Sequence, residues 1–125
     1  MRKFVIAFVG LFALCSIAMG GDVSGKGPNG GRLADATSMH VEFLSKGAEV
    51  FVYTYDHDNK PVDSAGMTGR LTIQEKGKTR TADLTAEAPN RLTGKLDAPL
   101  DNTARVIVSL TPKSGKPVQA RYTVN

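Results

Sequence analysis

Tryptophan is absent from this chain, and cysteine occurs once, at Cys15. These two scarcities exclude the Cys-Trp-Cys core of antibody domains, and a single cysteine forms no disulfide within the chain. The sequence also lacks a P-loop and a G-x-S-x-G nucleophile elbow, and it has only two histidines. No two of the scattered carboxylates stand out as an acid and base pair. Together these absences predict that the protein is not an enzyme.

Long apolar runs are also missing, apart from one near the N-terminus. Residues 4–17 are almost entirely apolar and follow two cations, but this run is shorter than the roughly 20 apolar residues that span a bilayer. The small residues Ala18 and Gly20 come next, at positions that a signal peptidase reads. The pattern predicts a signal peptide over residues 1–20 that is cleaved near Gly20. The mature protein would then be periplasmic or secreted, and an uncleaved anchor is the alternative.

Signal cleavage would change the composition of the working protein. Cys15 would leave with the signal, and a lipoprotein modified at this cysteine is disfavoured because Leu14 precedes it where a small residue is needed. The formal charge of +4 would fall to +2 with the loss of Arg2 and Lys3. The remaining cations are interleaved with acidic residues, which argues against a nucleic-acid partner. No segment after residue 20 has the length of apolar sequence that a membrane span requires.

The rest of the chain is organised as a short leader and one domain. Residues 21–31 read GDVSGKGPNGG, and this high glycine content predicts a flexible leader that ends in a turn. Residues 32–125 are long enough for one domain with one core. Apolar and polar residues alternate in short runs with turn signals between them, and no helical stripe is present. The strand candidates are residues 32–36, 38–45, 49–55, 69–75, 79–84, 91–96, 105–111 and 118–124.

This pattern predicts an all-β fold. Seven to eight short strands with a turn every ten residues or so are typical of an antiparallel β-sandwich of immunoglobulin-like type. A small barrel is the alternative.

One strand carries a pair of residues that metals use as ligands. His40 and Glu42 stand at positions i and i+2, so they share one face of the strand and are separated by roughly 6–7 Å of backbone. An imidazole and a carboxylate at this spacing can reach one divalent ion. The alternative is the solvated outer face of an amphipathic strand. Met39 and Met67, the two methionines after the signal, are too few for a copper(I) site.

A second cluster, Asp56-His57-Asp58-Asn59, lies in the polar turn after the strand at 49–55. It places three potential ligands close together but lacks the sequence of an EF-hand calcium loop. The alternative is that Asp and Asn shape the turn through hydrogen bonds to its backbone, with Pro61 fixing the exit.

Six short motifs spread over nearly all of residues 28–124 form a recognisable pattern. They are Gly30-Gly31-Arg32-Leu33, Met39-His40-Val41-Glu42-Phe43, Val52-Tyr53-Thr54-Tyr55-Asp56-His57-Asp58-Asn59-Lys60-Pro61-Val62, Gly69-Arg70-Leu71-Thr72, Asn90-Arg91-Leu92 and Gln119-Ala120-Arg121-Tyr122. With this pattern the mature chain resembles a family of small periplasmic β-sandwich domains. The domains of that family occur alone or ahead of the adaptor subunits of heavy-metal efflux systems of the resistance-nodulation-division class.

The resemblance has one departure. In that family a histidine often precedes the Gly-Gly pair, whereas this chain has Asn29 there.

Two functions remain open at this point. The first is a non-catalytic envelope protein that acts as an interaction or accessory module, with an envelope protein or an efflux component as its partner and an unpaired sheet edge as its contact. The second is a protein that binds or buffers a divalent metal, Cu or Zn, near an efflux system. Its ligands would be His40 and Glu42, with His57 or Asp58 as a third.

Overall fold

The computed structural model describes residues 23–36, 38–113 and 115–123. The predicted signal peptide over residues 1–20 lies outside this part of the chain. Every described element is a β-strand, so the predicted all-β class is confirmed. The nine strands are β1 (Val23–Lys26), β2 (Arg32–Ala36), β3 (Met39–Lys46), β4 (Glu49–Tyr55), β5 (Thr68–Glu75), β6 (Lys78–Glu87), β7 (Arg91–Lys95), β8 (Arg105–Thr111) and β9 (Val118–Thr123).

The number of strands differs from the predicted seven or eight. All eight predicted strands are present, and β1 is added inside the segment that we predicted to be a flexible leader. β1 pairs with β2, with Gly25 opposite Leu33 and Lys26 opposite Arg32. Backbone hydrogen bonds form such a pair without any alternation of apolar side chains, which is why the pattern of residues did not indicate it.

The strands form one antiparallel sheet in the order β1-β2-β3-β4-β7-β6-β5-β8-β9, and this sheet is curled into a half-barrel. The curl passes through β6, whose residues from Lys78 to Leu84 pair with β5 and whose last residues pair with β7. The far strand β9 returns towards β3, where the Tyr122 hydroxyl donates a hydrogen bond of 2.6 Å to the Val41 carbonyl. No helix in the described residues has the length and apolar character needed to cross a membrane.

The concave side of the curled sheet is the core. Alternate residues of the strands point into it, as the period of two along a strand requires. Their fully buried side chains come from both halves of the sheet and include Val41, Val50, Val52, Leu71, Ile73, Leu92, Val106 and Leu110. The other residues of each strand therefore lie on the convex side. There His40 on β3 stands between Asp35 on β2 and Tyr55 on β4, each paired with it in register.

Candidate metal centre

Two histidines and one aspartate converge at one end of the convex face. One ligand atom from each of Asp35, His40 and His57 lies within 4.8 Å of the others. The β2–β3 hairpin places Asp35 opposite His40. His57 reaches the same point from the turn that follows β4, whose last residue Tyr55 is opposite His40 on the other side. The fold thus joins a hairpin and a neighbouring turn at this cluster, which we call the His40 cluster.

The ring of His40 has a defined partner on each nitrogen. Its Nδ1 lies 2.9 Å from the side-chain Oδ1 of Asn59, and its Nε2 lies 3.7 Å from Oδ1 of Asp35. In the tautomer whose Nδ1–H donates to this amide oxygen, Nε2 carries no proton. In a neutral ring the lone pair of Nε2 then faces the carboxylate of Asp35. Two acceptors that face each other favour a cation between them. A histidine that binds a metal through one ring nitrogen usually donates a hydrogen bond from the other, as His40 can to Asn59.

His57 stands edge-on to His40. The two ring centroids are 5.2 Å apart and the ring planes are at 90°. Ring nitrogens separated by more than about 10 Å could not share an ion, because each Zn–N bond is only about 2 Å long. A ligand nitrogen of His40 lies within 4.8 Å of one of His57, well inside that limit.

The turn that carries His57 and Asn59 is held by Asp56. The side-chain Oδ1 of Asp56 accepts hydrogen bonds from the backbone N–H groups of Asp58, at 2.8 Å, and Lys60, at 2.9 Å. The N–H of Lys60 is the main reason that the pKa of Asp56 lies below its ordinary value. Asn59 adopts a positive φ of 62°, a conformation that asparagine tolerates better than most residues. Asp56 therefore shapes the turn through hydrogen bonds to its backbone, as one of the two interpretations of this segment expected. His57 and Asn59 face the His40 cluster instead.

Glu42 lies on the same face of β3 as His40 but has a different environment. It is completely buried, and its carboxylate accepts four hydrogen bonds from the part of the chain that the structure describes. Two come from the backbone N–H groups of Gly31, at 2.8 Å, and Asn29, at 2.9 Å. The other two come from the Asn29 side-chain amide, at 3.0 Å, and the Tyr55 hydroxyl, at 2.8 Å. We call this arrangement the Glu42 cradle.

The cradle ties the segment between β1 and β2 to the sheet. A Cβ atom at Gly27 would lie 2.6 Å from Cγ of Glu42, so only glycine allows the chain to pass this closely. Burial, together with the Glu42 carboxylate, raises the pKa of the Tyr55 hydroxyl, which keeps it protonated as a donor. Asn29 donates hydrogen bonds to Glu42 from both its backbone N–H and its side-chain amide.

The four predicted ligands thus separate into two groups. His40 and His57 are brought together, whereas Glu42 is enclosed in its cradle and the exposed Asp58 lies outside the His40 cluster. Asp35 was missed, although the sequence contained a signal for it. A two-residue loop, the commonest hairpin connection, pairs Ala36 with Met39 and so places Asp35 opposite His40.

No protein-family model, curated protein or solved structure matches this chain.

Proposed function

We propose that this chain is an exported, non-catalytic protein of the cell envelope that binds a first-row divalent metal, Cu²⁺ or Zn²⁺, at Asp35, His40 and His57. The observation that carries the proposal is the convergence of these three ligand atoms within 4.8 Å of one another. Imidazole nitrogen and carboxylate oxygen are ligands that both ions accept. The predicted signal peptide and the resemblance to efflux-associated domains support an envelope location and a role in metal handling.

The openness of the His40 cluster favours buffering or transfer over a permanent structural site. The side chain of Asp35 is 58% exposed and that of His40 is 21% exposed. Three protein ligands leave a coordination position for water or for a ligand from another molecule, whereas structural zinc sites have four protein ligands. An ion held in this way exchanges readily, as a metal-delivery or metal-buffering protein requires.

Calorimetric titration of residues 21–125 with Zn²⁺ and with Cu²⁺ tests this proposal. We expect one site per chain, with affinity lost in Asp35→Asn, His40→Ala and His57→Ala. Asp58→Asn is the matched control, because Asp58 is an exposed acid of the same turn that lies outside the cluster. Absence of binding heat would contradict the proposal. Binding in the three cluster variants that equals binding in the unsubstituted chain would also contradict it.

A second candidate function is an interaction module, and the edges of the sheet favour it. Among the described strands, β1 and β9 stand at the two ends of the sheet order, and β9 also lies against β2. In this proposal the curled sheet is an immunoglobulin-like sandwich, with β1-β2-β3-β4-β7 as one layer, β5-β8-β9 as the other and β6 joining them. An envelope protein or efflux component would add a strand to the sheet at the edge formed by β1. Cross-linking from a residue of β1 tests this idea, and recovery of monomer alone from whole cells would count against it.

A further inference from the structure

A pair of arginines lies on the convex face of the other half of the sheet. Arg105 on β8 pairs with Thr123 on β9, and Ile107 pairs with Arg121. Arg105 and Arg121 are therefore diagonal neighbours on one face, at a separation of roughly 7–8 Å between backbones, within reach of long side chains. Both residues are exposed. Their guanidinium groups can meet over one point of the sheet.

Acidic partners distinguish these two arginines from three others in the fold. Arg70 pairs with Asp83, Arg80 with Glu75 and Asp97, and Arg91 with Glu87. Within the described residues, neither Arg105 nor Arg121 forms an ion pair with a carboxylate. Two adjacent cations without an acid repel each other, and a bound anion would replace that repulsion with two attractions.

A groove accompanies the arginine pair. It has a volume of about 420 Å³ and is lined by Arg105, Arg121 and Gln74, among others. Gln74 stands opposite Arg105 on β5, so its side-chain amide is available on the same face. Arg105 also borders an adjoining groove that is lined by Lys76, Lys78 and Glu75, and the Glu75 carboxylate is already paired with Arg80. The local surface is therefore concave, cationic and supplied with a neutral hydrogen-bond donor.

We propose that this groove binds a phosphate group through Arg105 and Arg121. The planar guanidinium matches a phosphate with two parallel hydrogen bonds, and two guanidiniums can share its oxygens. Free phosphate compounds and phospholipid headgroups present the same chemistry to the groove. The groove is lined by residues of β5, β8 and β9 and shares no residue with the His40 cluster, so the proposal does not rest on the proposed metal function.

Two titrations of residues 21–125 test the phosphate site. In the first, inorganic phosphate is added at constant ionic strength, and the NMR signals of the Arg105 and Arg121 side-chain N–H groups are followed. In the second, the protein is floated with vesicles of phosphatidylglycerol or of phosphatidylcholine. NMR shifts with inorganic phosphate would indicate that the natural ligand is a free phosphate compound. Flotation with vesicles of phosphatidylglycerol, but not with vesicles of phosphatidylcholine, would indicate that it is a lipid headgroup.

The variant for both titrations is the double substitution Arg105→Gln with Arg121→Gln, and we expect at least a tenfold loss of binding. Arg70→Gln is the matched control, since it removes an arginine from the same face that already has an acidic partner. Absence of binding to both probes would overturn the proposal. Binding that persists in the double variant, or that is lost equally in the control, would also overturn it.

Discussion

Glu42 and His40 lie two residues apart on one face of one strand, yet the fold gives them opposite environments. Glu42 is fully buried, and its carboxylate accepts hydrogen bonds from Asn29, Gly31 and Tyr55. His40 is partly exposed, and its Nε2 faces the carboxylate of Asp35. The difference comes from what covers the strand, because the chain around Gly31 folds over Glu42 and stops short of His40. Ligand spacing on a strand therefore identifies a shared face but not a shared site.

The largest effect that would sharpen this comparison is loss of the Glu42 carboxylate. Glu42→Ala should lower the free energy of unfolding by about 3 kcal/mol, because it leaves the buried donors of Asn29, Gly31 and Tyr55 without an acceptor. His40→Ala should lower it by less than about 1 kcal/mol, since its partners can turn to water. Urea denaturation of the two variants measures both values. Equal destabilisation would show that the cradle is not a structural element.

Gly27 should be the next most sensitive position of the cradle. Gly27→Ala places a Cβ atom 2.6 Å from Cγ of Glu42, whose carboxylate is held by hydrogen bonds and cannot easily move. We expect a loss of about 2 kcal/mol of unfolding free energy, as overpacking of a filled interior usually gives. Gly115→Ala is the control, because its Cβ would lie at an ordinary 3.5 Å from Pro112. Thermal melts that move equally for both variants would contradict the close approach.

A smaller effect is expected where the His40 cluster depends on Asn59. Asn59→Gly keeps the positive φ of the turn but removes the oxygen that lies 2.9 Å from Nδ1 of His40. Affinity for Zn²⁺ should fall by about tenfold, which is typical when a metal-binding histidine loses the hydrogen-bond partner of its other nitrogen. The ¹⁵N chemical shifts of the His40 ring should change from one tautomer to a mixture. Unchanged ring shifts would mean that Asn59 does not position His40, and Asp58→Asn should leave both readouts as they are.

Acid should have the smallest effect, through the turn. The pKa of Asp56 is lower in the folded protein than its ordinary value of 3.8, chiefly because of the backbone N–H of Lys60. The unfolded state therefore binds this proton at a higher pH, and the contribution of Asp56 to stability is present above about pH 4 and declines below it. Asp56→Asn should flatten the dependence of unfolding free energy on pH in that range. A slope that is the same in both proteins would contradict the role of Asp56.

The fold was more accessible from the sequence than the site. The alternation of apolar residues such as Val41 and Phe43 with polar residues is visible in the local sequence, so it identified a strand whose apolar side chains are buried. β6 extends to Glu87, three residues beyond its predicted end, because its last residues pair with β7 rather than with β5. No local pattern contains that change of partner. The strand β1 was missed for a similar reason, as its pairing is made by the backbone.

The site was only partly accessible because its members come from different elements. Asp35 could have been placed opposite His40 from the register of the hairpin alone. The meeting of His40 with His57 depends on where the turn after β4 lies in space. The burial of Glu42 depends on a long-range contact with the segment that includes Asn29, thirteen residues away. A carboxylate on a convex face would otherwise be expected to be exposed.

The comparison between the two residues is tested most directly by one paired experiment, calorimetric Zn²⁺ titration of His40→Ala and Glu42→Gln. Removing a metal ligand should lower Zn²⁺ affinity more than removing Asn59, the hydrogen-bond partner of that ligand. His40→Ala should therefore weaken binding by about 100-fold or more. Glu42→Gln should bind Zn²⁺ within about threefold of the unsubstituted chain, even though it unfolds at lower urea concentration. If Glu42→Gln loses the metal and His40→Ala retains it, the assignment of the two residues is wrong.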